Sequence, residues 1–118
     1  MELRKDAKYA MIIPTSMGIR ITPLNGQPVH STELFRMDAT SAESNVGSTA
    51  SYLGLPVKIL TTFVKGSPIA RKINDNPASR HMDNERPEVE QGNPWGYRHQ
   101  INIAEAGFGS RGPRVHND

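Results

Sequence analysis

The sequence predicts an α/β fold in which helices flank a parallel sheet. Two short apolar segments, residues 8–13 and 57–64, have the aliphatic and β-branched composition of buried parallel strands. A helical segment within residues 39–54 lies between them, and a second helix start follows at residues 65–68. This strand–helix–strand–helix order favours a parallel sheet with helical crossovers.

Length and composition limit the protein classes that the chain can represent. At 118 residues it is one domain at most, and seven aromatic residues predict a small core. With no cysteine, the chain has no disulfide and no thiolate metal site. No apolar run approaches the roughly 20 residues of a membrane span, and the charged N-terminus lacks a secretory apolar region. We therefore expect a cytoplasmic protein that has no membrane partner.

The balance of charges argues against a nucleic-acid groove. Fourteen Lys and Arg residues face twelve Asp and Glu residues, a net charge of +2. The locally basic segment at residues 107–114 contains only two arginines, and its Gly, Ser and Pro residues are better explained by a polar turn. A small RNA-binding domain is thus the weakest of three functional hypotheses.

The helix within residues 39–54 is the most informative element of the sequence. Thr40 and Ser41 are suitable N-caps, Glu43 suits the helix dipole, and Gly54 suits the C-terminal stop. A helical period predicts an apolar stripe of Ala42, Val46, Ala50 and Leu53. The other face has the small polar residues Ser44, Asn45, Ser48 and Ser51. The pattern favours an ordinary capped amphipathic helix, with a polar ligand site at its N-terminus as the alternative.

Alternating segments predict a second group of strands. Residues 18–22 alternate between isoleucine and polar residues, residues 23–26 form a turn with an Asn-Gly signal, and residues 34–39 return as a strand. Residues 97–104 alternate in the same way. Residues 107–113 then form a loop or wide hairpin, and residues 114–116 begin another strand. Because the sequence stops within that strand, we expect it to be part of a longer protein.

The region between these groups is predicted to be a helix followed by a polar connection. Ser67 is a suitable N-cap and Pro68 a suitable first helical residue, while Pro77 should end or kink the helix. Residues 78–94 are polar and rich in proline, with a short strand near Val89.

Candidate catalytic groups do not assemble in the sequence. It contains no Walker A motif, dinucleotide fingerprint or nucleophile elbow, and its carboxylates are single. No clustered carboxylate or cysteine completes a metal set with the scattered histidines, which we expect to be exposed or hydrogen-bonded. These histidines are His30, His81, His99 and His116.

Four segments together resemble the N-terminal third of PfkB-family (ribokinase-like) carbohydrate kinases, most of all the 2-keto-3-deoxygluconate kinase branch. Residues 17–27 resemble the opening strand and turn of that branch. Residues 39–54 resemble the Gly-Gly-Ala-x-x-Asn loop and first helix. Residues 57–73 resemble the next strand and helix, and residues 97–118 resemble the lid strands that fold over the sugar.

This resemblance implies a fold and a division of the chain. The fold would be the N-terminal portion of a ribokinase-like fold, a parallel sheet with flanking helices and a small β lid. Residues 1–118 would form one fragment of a kinase domain. Its α/β core would comprise about 8–14 and 40–76, and its lid strands about 18–39 and 97–118.

The resemblance also implies substrate-binding residues. Asn45 stands at the position that contacts sugar hydroxyls, and Arg98 and Asn117 fall near lid positions that reach the substrate. Thr40 and Ser41 replace the two glycines of the family motif, so the backbone approaches a sugar less freely, although Ser41 can still donate a hydrogen bond. We therefore expect Ser41, Asn45, Arg98 and Asn117 to bind the substrate, with Arg98 holding a carboxylate.

The catalytic part of the family pattern is missing from the sequence. The Gly-Ala-Gly-Asp motif, with its aspartate base, and the nucleotide site lie in the C-terminal half of such kinases. We therefore expect no catalytic residue and no metal ligand here, with ATP and Mg²⁺ bound elsewhere in a longer, homodimeric parent that pairs through its lid strands. The 118 residues alone should be inactive. The alternative is a non-catalytic sugar-binding or regulatory module.

Overall fold

The computed structural model describes residues 4–92 and 96–117, which form an α/β structure as predicted. The α-helices of the described residues are α1 (Ala42–Tyr52) and α2 (Pro68–Ser79), and short 3-10 helices cover Leu24–Gly26 and Val29–Ser31. In chain order, the strands of the described residues are β1 (Met11–Pro14), β2 (Gly18–Pro23), β3 (Phe35–Thr40), β4 (Val57–Leu60), β5 (Phe63–Val64), β6 (Glu88–Val89), β7 (Ile101–Glu105) and β8 (Arg114–Asn117).

The first layer, here called the parallel layer, consists of two separate two-stranded parallel sheets. β1 pairs with β4 so that Met11 lies opposite Val57 and Pro14 opposite Leu60. β5 pairs in parallel with β6, the short strand expected near Val89. The predicted continuous strand over 57–64 is divided, because residues 61–62 leave the strand conformation between β4 and β5.

A four-stranded sheet forms the second layer, with the strand order β3-β2-β7-β8. β2 runs antiparallel to β3 and parallel to β7, and β7 runs antiparallel to β8. The predicted Asn-Gly turn is confirmed, since Asn25 (φ 56°) and Gly26 (φ 66°) both adopt the left-handed conformation. Backbone hydrogen bonds between Phe108 and Arg111 tighten the hairpin that joins β7 to β8.

The apolar stripe predicted for α1 is wrong as the buried face of that helix. Val46 and Leu53 are 61% and 76% exposed, whereas the buried positions are Ser44, Gly47, Ser48 and Ala50. The reason is the close approach of α1 to the parallel pair. A Cβ at Gly47 would lie 2.4 Å from Ile13 Cδ1, so this contact selects small residues over large apolar ones.

Helix α2 begins as predicted but continues through Pro77. The Ser67 hydroxyl accepts a hydrogen bond from the Ala70 N–H, and Pro68 is at the start of the helix. The helix does not end at Pro77. The missing N–H of Pro77 removes one hydrogen bond of the helix, only two residues of the helix follow it, and its ring is fully buried. The helix ends at Ser79, before His81 adopts a φ of +57°.

Gly18 allows β2 and β7 to approach closely. A Cβ at Gly18 would lie 2.5 Å from the Gln100 carbonyl oxygen, a backbone atom beside the hydrogen bond from Ile19 N–H to that oxygen. We predict that Gly18→Ala lowers the free energy of unfolding by about 1–3 kcal/mol, since this backbone cannot move without breaking the pairing. Urea unfolding measures the change.

Gly112→Ala is the matched control for this substitution. No atom lies within 4 Å of a Cβ at Gly112, so its effect should stay within about 0.5 kcal/mol. Equal stability of Gly18→Ala and wild type would contradict the close approach of the two strands.

Asp83 extends the parallel layer on the outer side of β4. Its N–H donates to the Val57 carbonyl, and its own carbonyl accepts from the Ile59 N–H. The carboxylate accepts hydrogen bonds from the Tyr9 hydroxyl, from the Glu85 N–H at 2.9 Å and from Lys58 Nζ at 3.5 Å. The Tyr9 hydroxyl is the main cause that lowers the pKa of Asp83 from 3.8 to about 2, followed by the Glu85 N–H.

The lowered pKa of Asp83 predicts a dependence of stability on pH. A carboxylate with a lower pKa in the folded state stabilises the fold fully above pH 3.8, and this contribution is lost as the pH falls towards 2. Asp83→Asn should therefore be less stable than wild type at pH 7, and the difference should shrink between pH 4 and pH 2. Unfolding followed by circular dichroism measures both values, with Asp75→Asn on the exposed side of α2 as control. A difference that is constant with pH would refute the prediction.

Candidate functional site

An open cleft of about 710 Å³ lies where β1 and β4 end. Its walls are residues 14–17, which begin at the last residue of β1, residues 60–62, which begin at the last residue of β4, and residues 98–100, which precede β7. Glu85 and Pro87 complete the lining. The cleft therefore lies at the carboxyl ends of parallel strands, the usual position of ligand sites in open α/β sheets.

The lining of this cleft combines hydroxyl groups with charges of both signs. Thr15, Thr61 and Thr62 contribute hydroxyls, Arg98 a guanidinium and Glu85 a carboxylate. The first wall is fixed to the second because the Thr15 N–H donates to the Leu60 carbonyl at 3.0 Å. Such a lining suits a small polar ligand with several hydroxyls and an acidic group.

Ser41 lies beside the cleft and connects it to the start of α1. The Ser41 hydroxyl oxygen accepts from the Ser44 N–H at 3.0 Å and lies 2.9 Å from the Thr15 hydroxyl oxygen. Glu43 Oε2 accepts hydrogen bonds from Thr15 at 2.9 Å and from Ser41 at 3.2 Å. The backbone N–H of Glu43 and these two hydroxyls lower the pKa of its carboxyl. Ser41 is thus both the helix cap, as predicted, and a neighbour of a cleft residue.

Of the other predicted substrate-binding residues, the structure brings Arg98 to the cleft and leaves two outside its lining. Asn45 is exposed on α1, and its Oδ1 accepts a hydrogen bond from Arg80 Nη1 at 2.8 Å. Asn117 lies on β8 opposite Asn102, with an exposed side chain. Neither belongs to the described residues that line the cleft, so their contact with a substrate stays a prediction.

His99 is a buried, hydrogen-bonded residue of the cleft wall, in agreement with the expectation for the histidines. Its Nε2 accepts from the Val64 N–H at 3.3 Å, and its Nδ1 lies 3.2 Å from the Met17 carbonyl oxygen. The ring meets that of Phe63 edge-on, with centroids 5.0 Å apart.

The lining residues that were not identified from the sequence include Thr15, Thr61, Thr62 and Glu85. The signal for three of them was present, since Thr15 follows Pro14 and the two other threonines follow Leu60. Residues directly after parallel strands lie at the ligand-binding edge of a sheet. Glu85 follows no predicted element, and no sequence signal identifies it.

Metal and membrane features are absent from the part of the chain that the structure describes. Residues 4–92 and 96–117 contain no group of three or more His, Cys, Asp or Glu side chains that could hold a metal ion. None of the helices in these ranges has the length and apolar character that a membrane span requires.

Solved structures of carbohydrate kinases have the same fold as this chain. A PfkB-family carbohydrate kinase from Listeria grayi is 25% identical, with a TM-score of 0.76 over 92% of this chain and 32% of that one. The 2-dehydro-3-deoxygluconokinase of Thermotoga maritima is 18% identical, with a TM-score of 0.80 over 92% of this chain and 31% of that one. A sugar kinase from Pyrococcus horikoshii in complex with ATP is 14% identical, with a TM-score of 0.69 over 90% of this chain and 33% of that one.

These similarities confirm the predicted resemblance and the ribokinase-like fold. The chain spans about a third of the length of the kinases it matches and corresponds to their N-terminal portions. No protein-family model matches the sequence. No curated protein is significantly similar to it in sequence.

The structural role of Ser41 can be tested without a ligand. We predict that Ser41→Ala lowers the free energy of unfolding by about 0.5–2 kcal/mol, because the Ser44 N–H loses its cap. Ser79→Ala, at the exposed C-terminal end of α2, is the control and should have little effect. Thermal unfolding distinguishes the two variants, and an unchanged Ser41→Ala protein would mean that the cap does not stabilise α1.

Proposed function

We propose that this chain is the sugar-binding part of an ATP-dependent carbohydrate kinase that phosphorylates a sugar or a sugar acid similar to 2-keto-3-deoxygluconate. The observation that best supports this proposal is the cleft at the ends of β1 and β4. It combines threonine hydroxyls with the Arg98 guanidinium, in a fold shared with carbohydrate kinases.

The chemistry of the lining assigns a role to each group. The Arg98 guanidinium would bind the carboxylate of a sugar acid through two parallel N–H···O hydrogen bonds, a geometry that a lysine cannot reproduce. The hydroxyls of Thr15, Thr61 and Thr62 would exchange hydrogen bonds with sugar hydroxyls, since each can donate and accept.

Ser41, Asn45 and Asn117 are proposed as further substrate contacts. Ser41 would act through its backbone beside Thr15. Asn45 would exchange its hydrogen bond with Arg80 for one with a sugar hydroxyl. Asn117 would reach the substrate from β8 when the four-stranded sheet lies over the cleft as a lid.

We propose that the nucleotide and the metal of the reaction bind outside the described residues. These residues include no metal-binding cluster, and the sequence has no Gly-Ala-Gly-Asp segment. We therefore assign ATP and Mg²⁺ to a longer parent protein and propose that the 118 residues alone do not phosphorylate. No step of phosphoryl transfer is assigned to residues of this chain.

We propose that the parent protein is cytoplasmic. We also propose that it forms a homodimer that pairs through the four-stranded sheet. Support comes from β3, at one edge of the sheet, where Phe35 and Met37 are about two-fifths exposed. Sheet edges that are long and apolar are normally covered, and a second copy of the same sheet would cover this one.

Substitution of Arg98 tests the substrate class. In the longest protein that the gene encodes, Arg98→Ala should weaken binding of 2-keto-3-deoxygluconate about tenfold to a hundredfold, through loss of a charged hydrogen-bonded pair. Binding of a neutral sugar should change little. Arg98→Lys should recover only part of the loss, and Arg114→Ala, on the exposed strand β8, is the control. Isothermal titration calorimetry measures the affinities of the wild type and of the three variants.

The outcomes separate the proposal from its alternative. If the wild-type protein binds no sugar and no sugar acid, the proposed function is wrong. If it binds the acid without phosphorylating it, and no Gly-Ala-Gly-Asp segment is encoded downstream, the non-catalytic binding module is correct. ATP-dependent turnover by the 118 residues alone would contradict the assignment of the catalytic groups to another part of the protein.

A further inference from the structure

The imidazole of His99 connects the two layers of the molecule at the wall of the cleft. His99 precedes β7 of the four-stranded sheet and is only 9% exposed. One of its nitrogens bonds to Val64 on β5 of the parallel layer, and the other bonds to Met17 in the connection from β1 to β2. A single buried side chain thus joins segments that are 35 and 82 residues away along the chain.

The hydrogen-bond partners of this imidazole indicate its tautomer. A backbone N–H can only donate, so His99 Nε2 must accept from Val64 and carries no proton. A carbonyl oxygen can only accept, so Nδ1 must donate to Met17 and carries the proton. The bridge therefore corresponds to the Nδ1–H tautomer, with both nitrogens hydrogen-bonded.

The Phe63 ring packs against the side of the imidazole, and the Arg86 guanidinium packs on the Phe63 ring. Phe63, fully buried on β5, meets His99 edge-on at 90°, and the guanidinium carbon of Arg86 lies 3.9 Å from the Phe63 ring centroid. The His99 ring is therefore restrained by packing as well as by its hydrogen bonds, and its neighbour along the chain is Arg98.

We propose that His99 is a positioning residue that fixes the four-stranded sheet, and with it Arg98, at the edge of the cleft. The proposal rests on the proposed function in one respect, namely that Arg98 binds the acid group of the substrate. His99 acts through Arg98, since both of its ring nitrogens are already used by the protein.

A double-mutant cycle tests this role in the longest protein that the gene encodes. His99→Phe retains an aromatic ring against Phe63 and removes both hydrogen bonds. It should weaken binding of 2-keto-3-deoxygluconate about tenfold at a temperature where the variant is folded. On an Arg98→Ala background the same substitution should cause no further loss. His99→Gln, whose amide can accept from Val64 and donate to Met17, should recover part of the affinity.

A matched control and an independent readout complete the test. His116→Phe on β8 changes an exposed histidine of the same sheet and should leave binding unchanged. Unchanged binding by folded His99→Phe, or equal losses on both backgrounds, would limit His99 to a structural role and overturn the proposal.

Nuclear magnetic resonance distinguishes failure of the positioning role of His99 from failure of the proposed function. In wild type, ¹⁵N shifts should show the Nδ1–H tautomer. In His99→Phe, the amides of residues 98–105 should exchange faster, while those of β1 and β4 should not. If wild type binds no sugar acid, the proposed function fails and these two measurements still decide the positioning role. The positioning role would be refuted by the Nε2–H tautomer, or by equal amide exchange in wild type and His99→Phe.

Discussion

The close approach of α1 to the parallel pair is the constraint on which the rest of the structure depends. Gly47 leaves room for Ile13, Val57 and Met82, each of which would lie within 3.3 Å of a Cβ at that position. Packing at this distance fixes β1 and β4 side by side, and their carboxyl ends then define two walls of the cleft. The start of α1 is fixed at the same time, so Ser41 and Glu43 lie beside Thr15.

The second layer is joined to the first by the packing of α2 against β2 and β3 and by polar contacts at the cleft. The four-stranded sheet provides the third wall of the cleft through residues 98–100, and its own strands approach closely at Gly18. The His99 imidazole contributes hydrogen bonds to both layers. Directional bonds fix an orientation that apolar packing alone leaves free to slide. This is why a buried histidine suits the wall of the cleft.

The sequence was most informative where local chemistry decides the structure. Ser41 and Ser67 cap the helices as predicted, Gly54 follows α1 in the left-handed conformation, and Asn25 with Gly26 forms the turn before β3. Each of these depends on the residue itself and on its neighbours within four positions. The order of strands and helices, read together with family-like segments, was sufficient to predict the ribokinase-like fold.

The predictions failed where contacts with residues distant in the sequence determine the structure. Val46 is exposed and Ser44 is buried, opposite to what helical periodicity assigned to these two residues of α1, because a neighbouring strand, rather than hydrophobicity, selects the residues at the contact. Pro77 stays within α2 because its ring is buried, which no local rule shows. Among the predicted site residues, Arg98 reaches the cleft while Asn45 bonds to Arg80, and the difference depends on contacts between residues 35 apart.

The sequence by itself therefore determined the elements, their caps and turns, and the family of folds to which they correspond. These properties arise from interactions over a few residues, or from the order of motifs along the sequence. The tertiary structure alone decided which face of α1 is buried, which side chains meet in the cleft and which tautomer His99 adopts. Each of these features depends on atoms brought together from distant parts of the chain, and local sequence patterns do not predict the distances between them.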